Sequence, residues 1–357
     1  TMVSTGTVTT VADKTITAFG HPFMGIGATS IPMGTATIIN TMATMSRSFK
    51  MSTAGPIVGE LVQDRLPAIV GKVGQFPKMI SVVGKVTTPA ATDSISFKVA
   101  RDLGRSPYFV AMAVASSLSR RLDVGHRGTL RYNATIHIEG TEPIRLRNLF
   151  NGERNARLGL GPAIEIGRAI ASIWQTPFAA PPDVRVEFEA AYSSEPIQEV
   201  VESIFIDRPQ ASPGDAVQIA VKLNKIGGES SVERFLITVP HSWAGQTIDF
   251  AATDASVANA IFGGIGGQPR PESLKQIVKF MSKRRVGGYL YLMGVRNGVG
   301  MRSEVDVLSF LPPSVVALHS GDETKQRRWR GVAWEEKKER PGTIAGIATT
   351  ALRVLRY

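Results

Sequence analysis

The chain has 357 residues, no cysteine, and 41 Lys and Arg against 30 Asp and Glu, a net charge of +11. That length accommodates two or three domains with cores of their own, while the missing thiols exclude a disulfide framework, a cysteine nucleophile and a thiolate metal site. No apolar run approaches the roughly 20 residues that a membrane-spanning helix needs.

Taken in chain order, residues 1–90 read as short strands broken by glycine and proline. GTVTTVADKTITAFG (6–20) predicts a hairpin with Asp13 and Lys14 in its turn and β-branched residues on both arms. TATIINT and MISVVGKV continue the strand pattern. Gly55, Gly59, Gly71 and Gly74 are expected at corners or close approaches where a Cβ would clash.

Residues 91–196 mix strands with two helices. The first is predicted with Ser106 as N-cap, Pro107 at the first helical position, and Phe109, Val110, Ala113, Val114 and Leu118 on one apolar face. The second is predicted to open at Pro162, to bury Ile166, Ile170, Ile173 and Trp174, and to stop at Pro177.

Residues 197–320 open with a turn at Ser212, Pro213, Gly214 and Asp215, followed by the alternating AVQIAVKLN. With VERFLITVP, YLYLMGVR and SEVDVLSF the strand count predicts an immunoglobulin-like β-sandwich. One inserted helix is expected over Leu274, Ile277, Val278 and Met281. FGGIGGQPRP (262–271) lacks the ending of a phosphate loop and reads as a loop. Residues 321–357 carry the densest basic run, KQRRWRGVAWEEKKER, and then closing strands in GTIAGIATTALRVLRY. The fold class expected is therefore mainly β with some α.

The basic residues are scattered and the densest run carries its own glutamates. The charge predicts a solvated basic surface that meets an anionic envelope surface rather than a specific nucleic-acid sequence. The five histidines, His21, His126, His137, His241 and His319, have no metal-ligand spacing, so neither a structural metal nor a cofactor is expected.

His21 lies in ITAFGHPFMGIG, between a glycine and a proline that fix the backbone where a strand ends. Such a placement suits a general base, and equally a turn histidine bonded to backbone. The nearest carboxylates in sequence are Asp13, a turn former, and Asp64 in VQDR, a candidate for the acid that orients the ring. Ser52 in KMSTAGP, with Ser46, Ser48 and Thr53 nearby, is a candidate nucleophile that neither GxSxG nor SxxK surrounds. An N-terminal threonine such as Thr1 can act through its own amine, but nothing else in the sequence supports that arrangement.

GTVTTVADKTITAFGHPF, followed by SFKMSTAGPIVGELVQDRLPAIVGKVG, resembles the His-bearing half of the stage IV sporulation protein B (SpoIVB) type serine peptidases, and in particular their long bacterial members. SFLPPSVVALHSGD and VAWEE resemble the C-terminal region of that group. The resemblance is specific over residues 6–75 and 300–335. It implies a trypsin-like β-barrel portion at 1–90, a mixed α/β middle, a C-terminal sandwich, a protein or peptide substrate, export to the periplasm or cell exterior, and His21 as general base. The family's nucleophile lies in GMSGSP, which this chain lacks. A serine-bearing segment upstream of Thr1, separated by self-processing, is the expectation that follows. A non-catalytic envelope binding or scaffolding module is the alternative.

Overall fold

The computed structural model describes residues 4–43, 45, 49–102, 104–122, 128–152, 155–176, 182–264, 273–302, 307–308, 310, 314–315 and 327–356. The fold is mainly β, with several sheets and four α-helices among the described residues. Two compact units form, one from residues 1–82 and 96–110, the other from 83–95 and 111–357.

The first unit is built on five antiparallel strands, β1 (Val8–Ala12), β2 (Thr15–Ala18), β3 (Gly27–Met42), β4 (Phe49–Arg65) and β5 (Ala68–Val73), in the order β1-β2-β5-β4-β3. β1 and β2 make the expected hairpin, with Asp13 at φ 52° in its tight turn. The sheet curls strongly. Although β1 stands at one edge and the β3–β4 pair at the other, Thr5 and Thr7, just before β1, hydrogen-bond to Ser52 and Lys50 on β4. Glycine allows that curvature: a Cβ on Gly59 would lie 2.2 Å from the Lys72 carbonyl oxygen, and one on Gly71 would lie 2.3 Å from the Met33 sulfur. A small core of Ala18, Leu61 and Ile69 fills the concavity, backed by Ile16, Phe19 and Ile31.

A second sheet takes β6 (Met79–Thr87), β7 (Thr92–Ala100), β8 (Gly128–Ile138), β9 (Ile144–Gly152) and β10 (Val184–Ser193), in the order β7-β6-β10-β8-β9. Two helices accompany it, α1 (Ser106–Ser119) and α2 (Asn155–Trp174). In α1 Val110, Val114 and Leu118 of the predicted face are buried, while Phe109 and Ala113 are half-buried. Its entry differs from expectation. The Ser106 hydroxyl accepts from Asp102 N–H and bonds back to backbone carbonyls, while the Asp102 carboxylate accepts from Gly104 and Arg105 N–H. Asp102 therefore satisfies the free donors ahead of the helix. α2 also departs from expectation, starting seven residues before Pro162, which sits inside it. The helix runs on because Ile166, Ile170, Ile173 and Trp174 are buried, and that packing outweighs one lost backbone bond. Pro177 lies outside the described residues. α2 packs on β8 and β9, where Gly161 lets the helix approach the Phe150 ring.

The rest of the chain forms two further sheets. β11 (Gln198–Ile206), β13 (Ala216–Lys225) and β14 (Ser230–Thr238) join the later β19 in the order β14-β13-β11-β19; the two-residue β12 (Gln210–Ala211) joins the other sheet. That other sheet adds β15 (Thr247–Thr253), β16 (Tyr289–Arg302), β17 (Val307–Leu308), β18 (Arg327–Glu339) and β20 (Ile347–Val354), while β19 spans Thr343–Ala345. One core joins the two sheets. It takes Val217, Ile219, Val221 and Leu223 from β13, Phe235 and Ile237 from β14, Ile248 and Phe250 from β15, and Leu290 and Leu292 from β16. This is a two-sheet sandwich.

Two helices, rather than the one expected, interrupt it: α3 (Ala255–Gly264) and α4 (Leu274–Ser282). α4 begins on a Ser273 N-cap and buries Ile277, Val278 and Met281. α3 takes up the start of the glycine cluster read as a loop, its entry held by Asp254, whose carboxylate accepts from Ser256 and Val257 N–H. Most of SEVDVLSF lies outside the described residues.

Candidate functional site

His21 stands in the loop between β2 and β3. Phe19 at φ 78°, Gly20 at φ 69°, Gly25 at φ 68° and Gly27 at φ 76° turn the chain there, and the left-handed value at Phe19 is one a bulky residue rarely adopts. Phe19 is held there by its own N–H, which donates to the Thr7 carbonyl over 2.9 Å, and by its ring, which covers Gly6. The Phe19 ring in turn lies 5.6 Å from the His21 imidazole and 6.2 Å edge-on from the Phe23 ring.

The His21 side chain is exposed, and its Nδ1 lies 2.7 Å from the Pro22 carbonyl oxygen. A carbonyl only accepts, so Nδ1 carries the proton and, in the neutral ring, Nε2 keeps the lone pair. That is the tautomer a general base needs when a hydroxyl approaches Nε2. The acceptor behind the ring is thus a backbone carbonyl and not the Asp64 carboxylate. Pro22 was visible in the sequence as a rigid neighbour, but nothing there signals where its carbonyl points.

Asp64 acts one step behind the ring. It is the last residue but one of β4, opposite Gly27, and is fully buried. Its Oδ1 accepts from Phe23 N–H and its Oδ2 from Met24 N–H, each over 2.7 Å. Burial alone would raise its pKa, but the backbone N–H groups of Met24, Phe23, Ile26 and Gly25 outweigh burial and hold the carboxyl below its ordinary value. Asp64 clamps the loop that carries His21. The sequence signal for this was the glycine spacing of FGHPFMGIG, which lets successive N–H groups converge on one anion.

Ser52, on β4 opposite Ile38, is half-buried and pairs its hydroxyl with that of Thr5 over 2.6 Å. Among the described residues Thr5 is its partner, and no base joins that bond. Thr53 faces Thr37 and is exposed, while Thr1, Ser46 and Ser48 lie outside the described residues. The residues 5–7 that bond to β4 also bring the start of the described chain against Phe19, the neighbour of the His21 ring.

The second unit holds further polar clusters. Buried Tyr132 donates to Glu165, which also accepts from Asn148 over 2.5 Å, and burial followed by the Glu165 charge drives the Tyr132 pKa far upward. A shallow cleft of about 380 Å³ is lined by Lys283, Arg284, Lys337 and the Arg285–Glu335 ion pair. Among the described residues no group of three His, Asp or Glu side chains converges as metal ligands would, and no helix is long and apolar enough to cross a membrane. No protein-family model, curated protein or solved structure matches this chain.

Proposed function

We propose that this chain is the His-bearing part of an exported serine endopeptidase of the stage IV sporulation protein B type, with His21 as general base. The observation that carries the reading is the exposed imidazole whose Nδ1–H is tied to the Pro22 carbonyl, leaving Nε2 to take a proton. A serine from polypeptide upstream of Thr1 supplies the nucleophile, and residues 5–7 beside Phe19 give that polypeptide a route to the site. Nε2 takes the serine proton as the hydroxyl oxygen bonds to the substrate carbonyl carbon. The imidazolium then gives that proton to the departing amine nitrogen as the C–N bond breaks, and water, activated at the same Nε2, releases the acyl group. The substrate is a protein or peptide, the chain's own upstream segment included. A trypsin-like arrangement of the curled first sheet and an immunoglobulin-like order of the sandwich belong to this proposal.

A fluorophosphonate probe on the full-length protein tests it. Labelling of an upstream serine that falls about a hundredfold or more in His21→Gln supports the reading; labelling that is absent, or equal in both proteins, sinks it. The second reading is a non-catalytic envelope-binding module. It draws on the backbone acceptor at His21, which a turn histidine also uses, and it predicts that His21→Gln leaves every interaction of the protein intact.

A further inference from the structure

Beyond Gly34 and Ile57 the backbone ladder of β3 and β4 runs, among the described residues, between these two strands alone, since β5 meets β4 no further along than Gly59; from outside, the Thr5 and Thr7 side chains reach Ser52 and Lys50. Eight residues of each strand therefore form a two-stranded ribbon about 25 Å long. The pairs Met42 with Phe49 and Asn40 with Met51 put Met42, Phe49 and Met51 on one face, while Ile38, opposite Ser52, lies on the other, and Ile39 occupies the bulge between. All are exposed, Ile39 to 68%, and Met45 at the tip is fully exposed at 109%. Edge strands that stay in water carry charges to stop them sticking. Between Lys14 and Arg47 this sequence has no Asp, Glu, Lys or Arg.

Apolar side chains on both faces and at the tip fit a surrounding medium better than a docked strand or sheet, which would cover one face. Charge indicates which medium. The unit that carries the ribbon has nine Lys and Arg against four Asp and Glu in its sequence, and Lys50, next to Phe49 near the ribbon's end, is exposed while donating to the Thr7 hydroxyl. Open strand edges cannot enter the hydrocarbon core unpaired, so contact is confined to the headgroup and acyl boundary, about 5–10 Å deep. Counted at about 3.3 Å per residue back from the Met42–Phe49 pair, that depth takes in Met51 and Ile39 and leaves the ribbon's base in water. We infer that the β3–β4 ribbon is an interfacial anchor that dips its apolar tip into an anionic lipid surface. The inference does not depend on His21 or on peptidase activity.

Vesicles containing phosphatidylglycerol test it on the whole chain. Wild type is expected to co-sediment with them and to bind phosphatidylcholine vesicles more weakly. The triple variant Ile39→Glu, Met42→Glu, Phe49→Glu should lose about tenfold or more of that affinity with unchanged thermal unfolding, since all three side chains are exposed. Leu236→Glu, at an exposed apolar position of the sandwich, should bind as wild type. A Met45→Trp chain should shift its emission to the blue on vesicles and be quenched by lipids brominated on the acyl chain. Equal binding by the triple variant, or no binding and no emission shift, overturns the inference. So does a self-association that the triple variant dissolves while lipid binding is nil, which would assign the ribbon to a second copy of the chain.

Discussion

The Asp64 carboxylate holds the loop that carries His21, and the Pro22 carbonyl holds its ring. Asp64→Ala would remove the buried carboxylate that accepts from the N–H groups of Phe23 and Met24, at a cost of about 2 kcal/mol. Amide hydrogen exchange should show that cost as lost protection over 23–26. The pH dependence follows from the sign of the shift. A carboxyl held below its ordinary value stabilises the fold above that ordinary value and loses the contribution as pH falls through the lowered one. Protection of residues 23–26 should stay constant from neutral pH down to the ordinary carboxylate range, collapse below it, and become pH-independent in Asp64→Asn. At His21, nitrogen NMR should find the proton of the neutral ring on Nδ1; a proton on Nε2 would remove the reading of this residue as a base.

At the scale of elements, the first sheet depends on positions where glycine admits a neighbouring strand. Gly59→Ala would push a methyl to 2.2 Å from the Lys72 carbonyl, and backbone cannot yield as a side-chain tip does. A loss of about 2 kcal/mol in denaturant unfolding is expected. These glycines were legible in the sequence as close approaches. β18 was not. Its run of charges reads as solvated surface, and it becomes a strand because β16, apolar on both faces with Leu290, Tyr291, Leu292 and Met293 all buried, offers it an edge. α2 shows the same limit, since Pro162 marks a helix start locally while the buried stripe of Ile166, Ile170 and Ile173 in the following turns carries the helix through it.

For the sandwich as a whole, charge acts as a strap between sheets. Arg340, just after β18, pairs with nearly buried Glu199 on β11 and with Glu233 on β14, and Lys338 on β18 also reaches Glu233. Arg340→Met strands the Glu199 charge and should cost about 3 kcal/mol or more, whereas adding Glu199→Met should recover most of it. Equal losses in the single and double variants by denaturant unfolding would show that the ion pair has no such role.

Local chemistry alone determined the early hairpin, the stripes of α1 and α4, the alternating strands of the sandwich and the rigid setting of His21, since each follows from neighbours within a few residues. Only the tertiary structure decided that Asp64, 43 positions after His21, would serve its loop rather than its ring, that Ser52 would pair with Thr5, and that Arg340 would join two sheets. The reason is physical. These bonds form between residues far apart in sequence, and their direction is set by sheet curvature and strand register, which no local pattern encodes.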